Sequence, residues 1–447
     1  MQMISKARFD ILAGYARKPG AALLGQEIAW FESKSRQVLA LLVLDTDLEY
    51  SGILFARDLT ERFRAVGQTD FYATLPEAAD ALDTRLLAAE RDLEQLREQG
   101  DEGVAMNFFE EVPSRRLHER YVSLARDPLW APARSVVENM MRWYDDGDGN
   151  FVEQFQTSGF DARIWEVYLF AMLIENGYSV THPSPAPDFL ADGLGRRFAV
   201  EATTVNRTVI GGEPAPSEKP TAREEVDDYL GNYLPIRYAG PLTNKLGKKY
   251  WAKPEVKGLP LLFAIQDFHD QMSMTYSGQA LQTYLYGQQI REFKDTDGAT
   301  TQHLEKVELH EWGRKQVVSG FFELPSADNV SAVLFNGAGT LTKFNRIGVA
   351  TGFDPDKVLI THHGTRINPE DPAKPIEFHE DVLVGTDETW TDGLWVFHNP
   401  RALRPFNAEW LLGAAHVRRD GTQLNASIPD RHLNSSITAM IGRRQTP

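Results

Sequence analysis

The 447-residue chain carries 47 Lys and Arg against 63 Asp and Glu, a formal charge of −16, and 42% hydrophobic residues, ordinary for a globular fold. It has no cysteine, which excludes disulfides, thiolate zinc sites and cysteine nucleophiles. Its acidity argues against non-specific coating of nucleic acid, which draws on a basic excess, so any such contact must be local.

The length suggests about two or three domains. The longest apolar runs, Val38–Leu44 and Leu259–Ile265, fall far short of the ~18 residues that span a bilayer. The opening MQMISKARFDIL lacks the charged-then-apolar pattern of a secretory signal, so a cytoplasmic protein with no membrane association is expected. Strand-length segments at Glu27–Glu32, Gln37–Leu44 and Gly52–Phe55 come first, then a short helix at Leu59–Val66. Leu75–Gln99 reads as an amphipathic helix or helical pair, and Arg115–Tyr144 as helical. The acidic run DDGDGN at Asp145–Asn150 marks a boundary. It fails as an EF-hand loop, because Phe151 and Thr157 stand where Gly and Glu are required, and it reads as a solvated turn. Residues 1–150 thus form an N-terminal mixed β/helical domain, suited to target recognition, assembly as a homodimer or a protein partner.

Residues 151–270 read as an α/β core. Asp161–Asn176 is a helix with Asp161 as N-cap and Gly177 closing it. Tyr178–His182 is a short strand. Asp188–Ala191 and Arg197–Thr204 pair across the turn Asp192–Arg196. Asn206–Asp228 is a loop or lid, Leu242–Trp251 a basic helix and Leu259–Asp267 a buried strand. Residues 271–420 extend this core, with a helix at Tyr276–Phe293 and a buried strand at Val330–Phe335. That strand runs into Asn336–Gly339, where Thr340 caps a helix. Residues 421–447 are expected to be a loosely held tail.

Three carboxylates stand out: Glu166 in the first core helix, Asp188 after Pro187 at a strand start, and Glu201 near the end of the next strand. Strand alternation sets Glu201 and Thr203 on the face opposite Phe198, Val200 and Ala202. Pairing of the two strands brings Asp188 toward Glu201. Converging carboxylates repel unless a hard cation lies between them, and Mg²⁺ or Mn²⁺ suits oxygen ligands. Each residue also has a plain structural reading: a helix ion pair for Glu166, a turn for Asp188, an edge-strand charge for Glu201.

The order Glu166 in IWEVYLF, Pro187-Asp188 in APDFL and Glu201 in VEATT resembles the PD-(D/E)XK, or restriction-endonuclease-like, nuclease superfamily over roughly residues 160–267. The resemblance implies an αβββαβ core with a mixed sheet, and a metal-dependent phosphodiesterase that cleaves nucleic acid, DNA in preference to RNA. A role in restriction or anti-phage defence goes with it. Glu166, Asp188 and Glu201 would be the metal ligands. The motif lysine is missing: Thr203 stands in its place, so Lys245 or Lys249 of the following helix is the candidate substitute. The alternative is a catalytically inactive nuclease-fold module that binds nucleic acid or protein. A glycoside hydrolase using two acids is a third reading.

Other motifs carry less. NGAGTLTKFNR at Asn336–Arg346 lacks P-loop spacing and reads as a turn with a helix cap. His362, His363, His379 and His398 show no metal-ligand spacing and read as loop residues. The lysines of LTNKLGKKYWAK, with Lys253 and Lys257, read as a solvated face or a local phosphate contact.

Overall fold

A computed structural model of the chain describes residues 1–100, 103, 107–112, 116–144, 146, 149–183, 185–211, 213–222, 225–294, 300–371 and 374–443. The chain starts with β1 (Gln2–Ile4) and α1 (Lys6–Ala13) and continues through β2 (Gly25–Glu32), β3 (Val38–Asp45), β4 (Tyr50–Arg57) and β5 (Phe63–Gln68). These strands form an antiparallel sheet in sequential order. On it lie α2 (Leu75–Arg91) and α3 (Leu93–Arg97), with Ala78, Leu82 and Leu86 of α2 buried against Val38, Ala40 and Leu42. Four helices follow: α4 (Glu119–Arg126), α5 (Ala131–Met141), α6 (Phe151–Gln156) and α7 (Phe160–Glu175).

Three strands come next, β6 (Ser179–Thr181), β7 (Phe189–Gly193) and β8 (Arg196–Asn206), then the small ladder of β9 (Val209–Ile210) and β10 (Glu213–Pro214). A helical stretch is built from α8 (Val226–Asp228), a π-turn at Tyr229–Tyr233 and α9 (Leu234–Gly247), and it leads to β11 (Leu261–Phe268) and α10 (Gly278–Tyr286). Two hairpins follow, β12 (Gln288–Lys294) with β13 (Thr300–Lys306) and β14 (Leu309–Trp312) with β15 (Lys315–Val318). The chain closes with β16 (Ala332–Asn336), α11 (Leu341–Ala350), β17 (Val358–Arg366), β18 (Ile376–Val382), β19 (Leu394–His398), β20 (Ala415–Asp420), β21 (Gln423–Ser427) and β22 (Leu433–Gly442).

The fold is mixed α/β. Its central sheet has the order β21-β20-β19-β16-β11-β8-β7-β6; β8, β11 and β16 run parallel to one another and β7 runs antiparallel to β8. Both faces are covered, which explains why β11 is buried at every position. On one face Ile164, Val167 and Leu169 of α7 pack with Phe198, Val200, Leu262 and Leu334. On the other, Leu234, Tyr238 and Leu242 of α9 pack with Ala199, Phe263 and Ile265. The α7-side core runs on through Val136 and Met140 of α5 to Phe9 and Leu12 of α1, so apolar packing is continuous across position 150. Among the described residues no helix is long and apolar enough to cross a membrane.

Several expectations are corrected. Leu59–Val66 is not a helix: Asp58 accepts the N–H groups of Thr60 and Arg62 (2.8 and 3.0 Å), making a tight turn into strand β5. Asp161 does not cap α7; Gly159 holds that position and Asp161 pairs with Arg120 at 2.8 Å. The helix expected to run to Phe293 stops at Gly287, whose φ of 65° ends α10 and turns the chain into β12. The basic helix begins at Leu234, with Pro235 in its first turn. Residues 420–443 are not loosely held, because β21 pairs with β20 and β22 with β17, and residues 444–447 lie outside the described residues. In the DDGDGN turn, Asp146 accepts the N–H groups of Gly149 and Phe151 (2.9 and 3.0 Å), while Asp145, Gly147 and Asp148 lie outside the described residues.

Candidate functional site

The hairpin that places Asp188 against Glu201 turns at Leu194 and Gly195, both with positive φ (46° and 82°). Such a two-residue turn matches the twist of the strands and fixes their register. Phe189 then faces Val200, and Asp188, one residue earlier, closes a reciprocal pair of hydrogen bonds. Ala202 N–H donates to Asp188 Oδ2 at 2.7 Å, and Asp188 N–H donates to Glu201 Oε2 at 3.3 Å. Asp188 is therefore more than a turn former. Nor is Glu201 an edge charge: β8 is interior, between β7 and β11, and Glu201 is 3% exposed.

Since Phe198, Val200 and Ala202 pack toward α7, alternation directs Glu201 and Thr203 toward α9. There Lys245 Nζ forms an ion pair with Glu201 Oε1. The aromatic ring of Tyr250 lies 6.0 Å from the same ammonium, and burial followed by the charge of Glu201 raises its phenol. Thr203 is half-buried opposite Ile265 of β11. Lys249 is not brought to the carboxylates: it is exposed just past the end of α9, with a left-handed φ of 52°. Of the two lysines, the structure brings Lys245 and not Lys249 to the carboxylates.

Glu166 comes from α7 and is not a solvent-facing residue. It is 8% exposed, and its Oε2 accepts hydrogen bonds from Arg163 (2.6 Å) and from the Tyr144 hydroxyl (3.2 Å). Burial lifts its carboxyl above the usual range, against the opposing pull of Arg163. Asp188 is lifted further, first by burial and then by the charges of Glu166 and Glu201. The centre is thus Asp188 flanked by two glutamates, each tied to its own cation.

Sequence reasoning found the three carboxylates and missed Arg163, Tyr144 and Tyr250. Arg163, one turn before Glu166 on the same helix face, had a readable i,i+3 signal. Tyr144 and Tyr250 reach the centre only through tertiary packing, which no local pattern encodes.

Fit to a divalent cation rests on the donors. All three are carboxylate oxygens, the ligand type of Mg²⁺ and Mn²⁺. Among the described residues no hydrogen bond reaches Glu166 Oε1 or Asp188 Oδ1, so each keeps one uncommitted acceptor. As they stand, no three His, Cys, Asp or Glu side chains among the described residues are drawn together as a cage. The chemistry of the donor set fits, with the flanking cations now holding the glutamates.

The histidines expected in loops lie on strands instead. His362 and His363 are on β17, His379 on β18 and His398 ends β19. His398 Nε2 and His416 Nδ1 lie 2.9 Å apart, and burial lowers both rings. Lys343 and Arg346 do not face an anion-binding turn: both side chains are fully buried on Glu388, at 3.3 and 2.7 Å. Thr340 stands at the N-cap of α11 without a side-chain capping bond.

No family model matches the chain, and neither a curated protein nor a solved structure matches it.

Proposed function

We propose that the chain is an endonuclease, a phosphodiesterase that hydrolyses nucleic-acid backbone with Mg²⁺ or Mn²⁺. Its restriction-endonuclease-like core would be α7, β6, β7, β8, α9 and β11. The observation that carries this reading is the arrangement at Asp188: Glu201 accepts its backbone N–H, burial and then the charge of Glu166 raise its carboxyl, and Lys245 arrives from α9 onto Glu201. Lys245 supplies the cation that Thr203 cannot. Glu166, Asp188 and Glu201 would hold the ion, which when bound lowers the pKa of water and offsets charge on the phosphodiester. Arg163 and Tyr144 fix the Glu166 carboxylate, the Thr203 hydroxyl donates a hydrogen bond, and Lys245 Nζ meets a phosphate oxygen. DNA is the expected substrate ahead of RNA, and restriction or anti-phage defence the expected setting. The N-terminal sheet would serve a homodimer or a protein partner.

The test is cleavage of plasmid DNA, single-stranded DNA and RNA, in Mn²⁺ or in EDTA, by wild type and Glu201→Ala. Cleavage confined to wild type with Mn²⁺ supports the reading, and cleavage that survives Glu201→Ala overturns it. A second reading, a binding module without catalysis, is favoured by the two fixed ion pairs Arg163–Glu166 and Lys245–Glu201. It predicts no rise in Tm at saturating Mn²⁺, where a ligand of the folded state stabilises.

A further inference from the structure

A second feature of the sheet is a cleft of about 530 Å³ at the C-terminal ends of the parallel strands β8 and β11. Arg207 directly follows β8, and His269 and Asp270 directly follow β11. In open α/β sheets this is where ligands bind, because loops diverge from parallel strand ends. The opposite wall is the hairpin β14–β15, anchored to the π-turn by His310 Nδ1 on the Gly231 carbonyl (2.7 Å) and by Glu311 N–H on Asn232 Oδ1 (3.2 Å). Its tip carries Trp312, Arg314 and Lys315 into the lining. The π-turn supplies Tyr233, whose ring meets Trp312 at 5.2 Å between centroids.

The charge of this lining runs against that of the chain. Arg207, Arg237, Arg314 and Lys315 face two carboxylates, Glu218 and Asp270, in a protein of net charge −16. Asp270 is committed to the Ser217 hydroxyl and the Gln271 N–H. Among the described residues the side chains of Arg207, Arg314 and Lys315 form no ion pair or hydrogen bond, and all three residues are exposed. Arg237 is braced by the Thr208 hydroxyl at 2.7 Å and by the Asn206 carbonyl. Its Nε is buried and, among the described residues, has no partner. Cations on a rim around two aromatic rings are the pattern of a stacking platform with phosphate contacts.

The cleft and the carboxylate centre share α9. Arg237 and Lys245 stand on one helix, eight residues and about 12 Å apart at 1.5 Å per residue. That distance spans roughly three to four nucleotides even at the 3.4 Å spacing of a duplex strand.

We propose that this cleft binds single-stranded nucleic acid, one base stacked on Trp312 and the flanking phosphates on Arg207, Arg314 and Lys315. The inference rests on the nuclease reading and names the form of the strand that reaches the centre. A strand fits better than a free nucleotide, because the cations are spread along the rim and not gathered on one polyphosphate. A duplex hides its base faces from Trp312.

The test is fluorescence anisotropy in EDTA with a labelled single-stranded oligonucleotide, a duplex of the same length and a labelled mononucleotide. It compares wild type, Trp312→Ala, and Arg314→Ala combined with Lys315→Ala, whose exposed side chains leave folding intact. Wild type should prefer the single strand. Trp312→Ala should weaken it roughly ten- to hundredfold. The double variant should lower the slope of log K against log salt by about 1.4, or ~0.7 for each phosphate no longer neutralised. Unchanged binding in both variants, preference for duplex, tighter binding of the mononucleotide, or no binding by wild type each overturns the proposal. The same preparations are scored for cleavage in Mn²⁺. Trp312-dependent binding without cleavage leaves the cleft standing and sinks the nuclease reading; cleavage with Trp312-independent binding does the reverse.

Discussion

Lys245→Ala is the perturbation that weighs the carboxylate centre most clearly. Glu201 keeps 4% of its side-chain surface and Lys245 only 19%, so this is a pair largely withdrawn from water. Truncating one member of a buried pair strands the other, at a cost of about 3–5 kcal/mol. The residual exposure of Lys245 places the expected loss at the lower end, about 3 kcal/mol. With an unfolding entropy of ~2.1 cal/mol/K per residue, the whole chain gives about 0.9 kcal/mol/K, and Tm should drop by about 3 °C. Lys249→Ala, an exposed lysine of the same segment, should move stability by less than ~0.5 kcal/mol. Combining Lys245→Ala with Glu201→Gln removes the stranded charge and should recover most of the loss. Calorimetric scans of the four proteins decide it. Equal Tm for Lys245→Ala and Lys249→Ala, or no recovery in the double variant, would refute the reasoning.

Other outcomes follow from the same structure. Glu388 is pushed up by burial but held at about 2 by Arg346 and Lys343, below its ordinary 4.5. A depressed carboxylate contributes stability that is fully present above its unfolded pKa and is lost as pH falls through the folded one. Wild-type stability should therefore decline between about pH 4.5 and 2 by an increment that Glu388→Gln lacks, read as urea midpoints against pH. At pH 7 the same variant should be less stable by on the order of 3–5 kcal/mol, since two buried cations lose their partner. A Cβ on Gly348 would lie 2.7 Å from the Pro132 backbone where α11 meets α5, so Gly348→Ala should cost about 1–3 kcal/mol in the same denaturation assay.

How much of this was legible in the sequence depends on how local the cause was. The hairpin that sets Asp188 beside Glu201 was readable, because the strands alternate and the turn carries glycines. The strands β2, β3 and β4 were readable as apolar segments of strand length broken by polar turns. Leu59–Val66 was misread as a helix because the turn set by Asp58 overrides an ambiguous apolar pattern. The polar segment after Arg419 gave no strand signal: its two strands are held by the edges of sheets made elsewhere in the chain. Lys343 and Arg346 fell in a segment read as a turn with a helix cap, and only Glu388, more than forty residues on, explains their burial. The choice of Lys245 over Lys249 depended on how α9 ends, with Lys249 turned away by its left-handed backbone.

Whether the three carboxylates hold a metal ion is decided by a calorimetric titration of Mn²⁺ into wild type and into Asp188→Asn at neutral pH. A saturable site is predicted in wild type that Asp188→Asn loses, with both proteins folded. Equal binding by the two, or none by wild type, would contradict it.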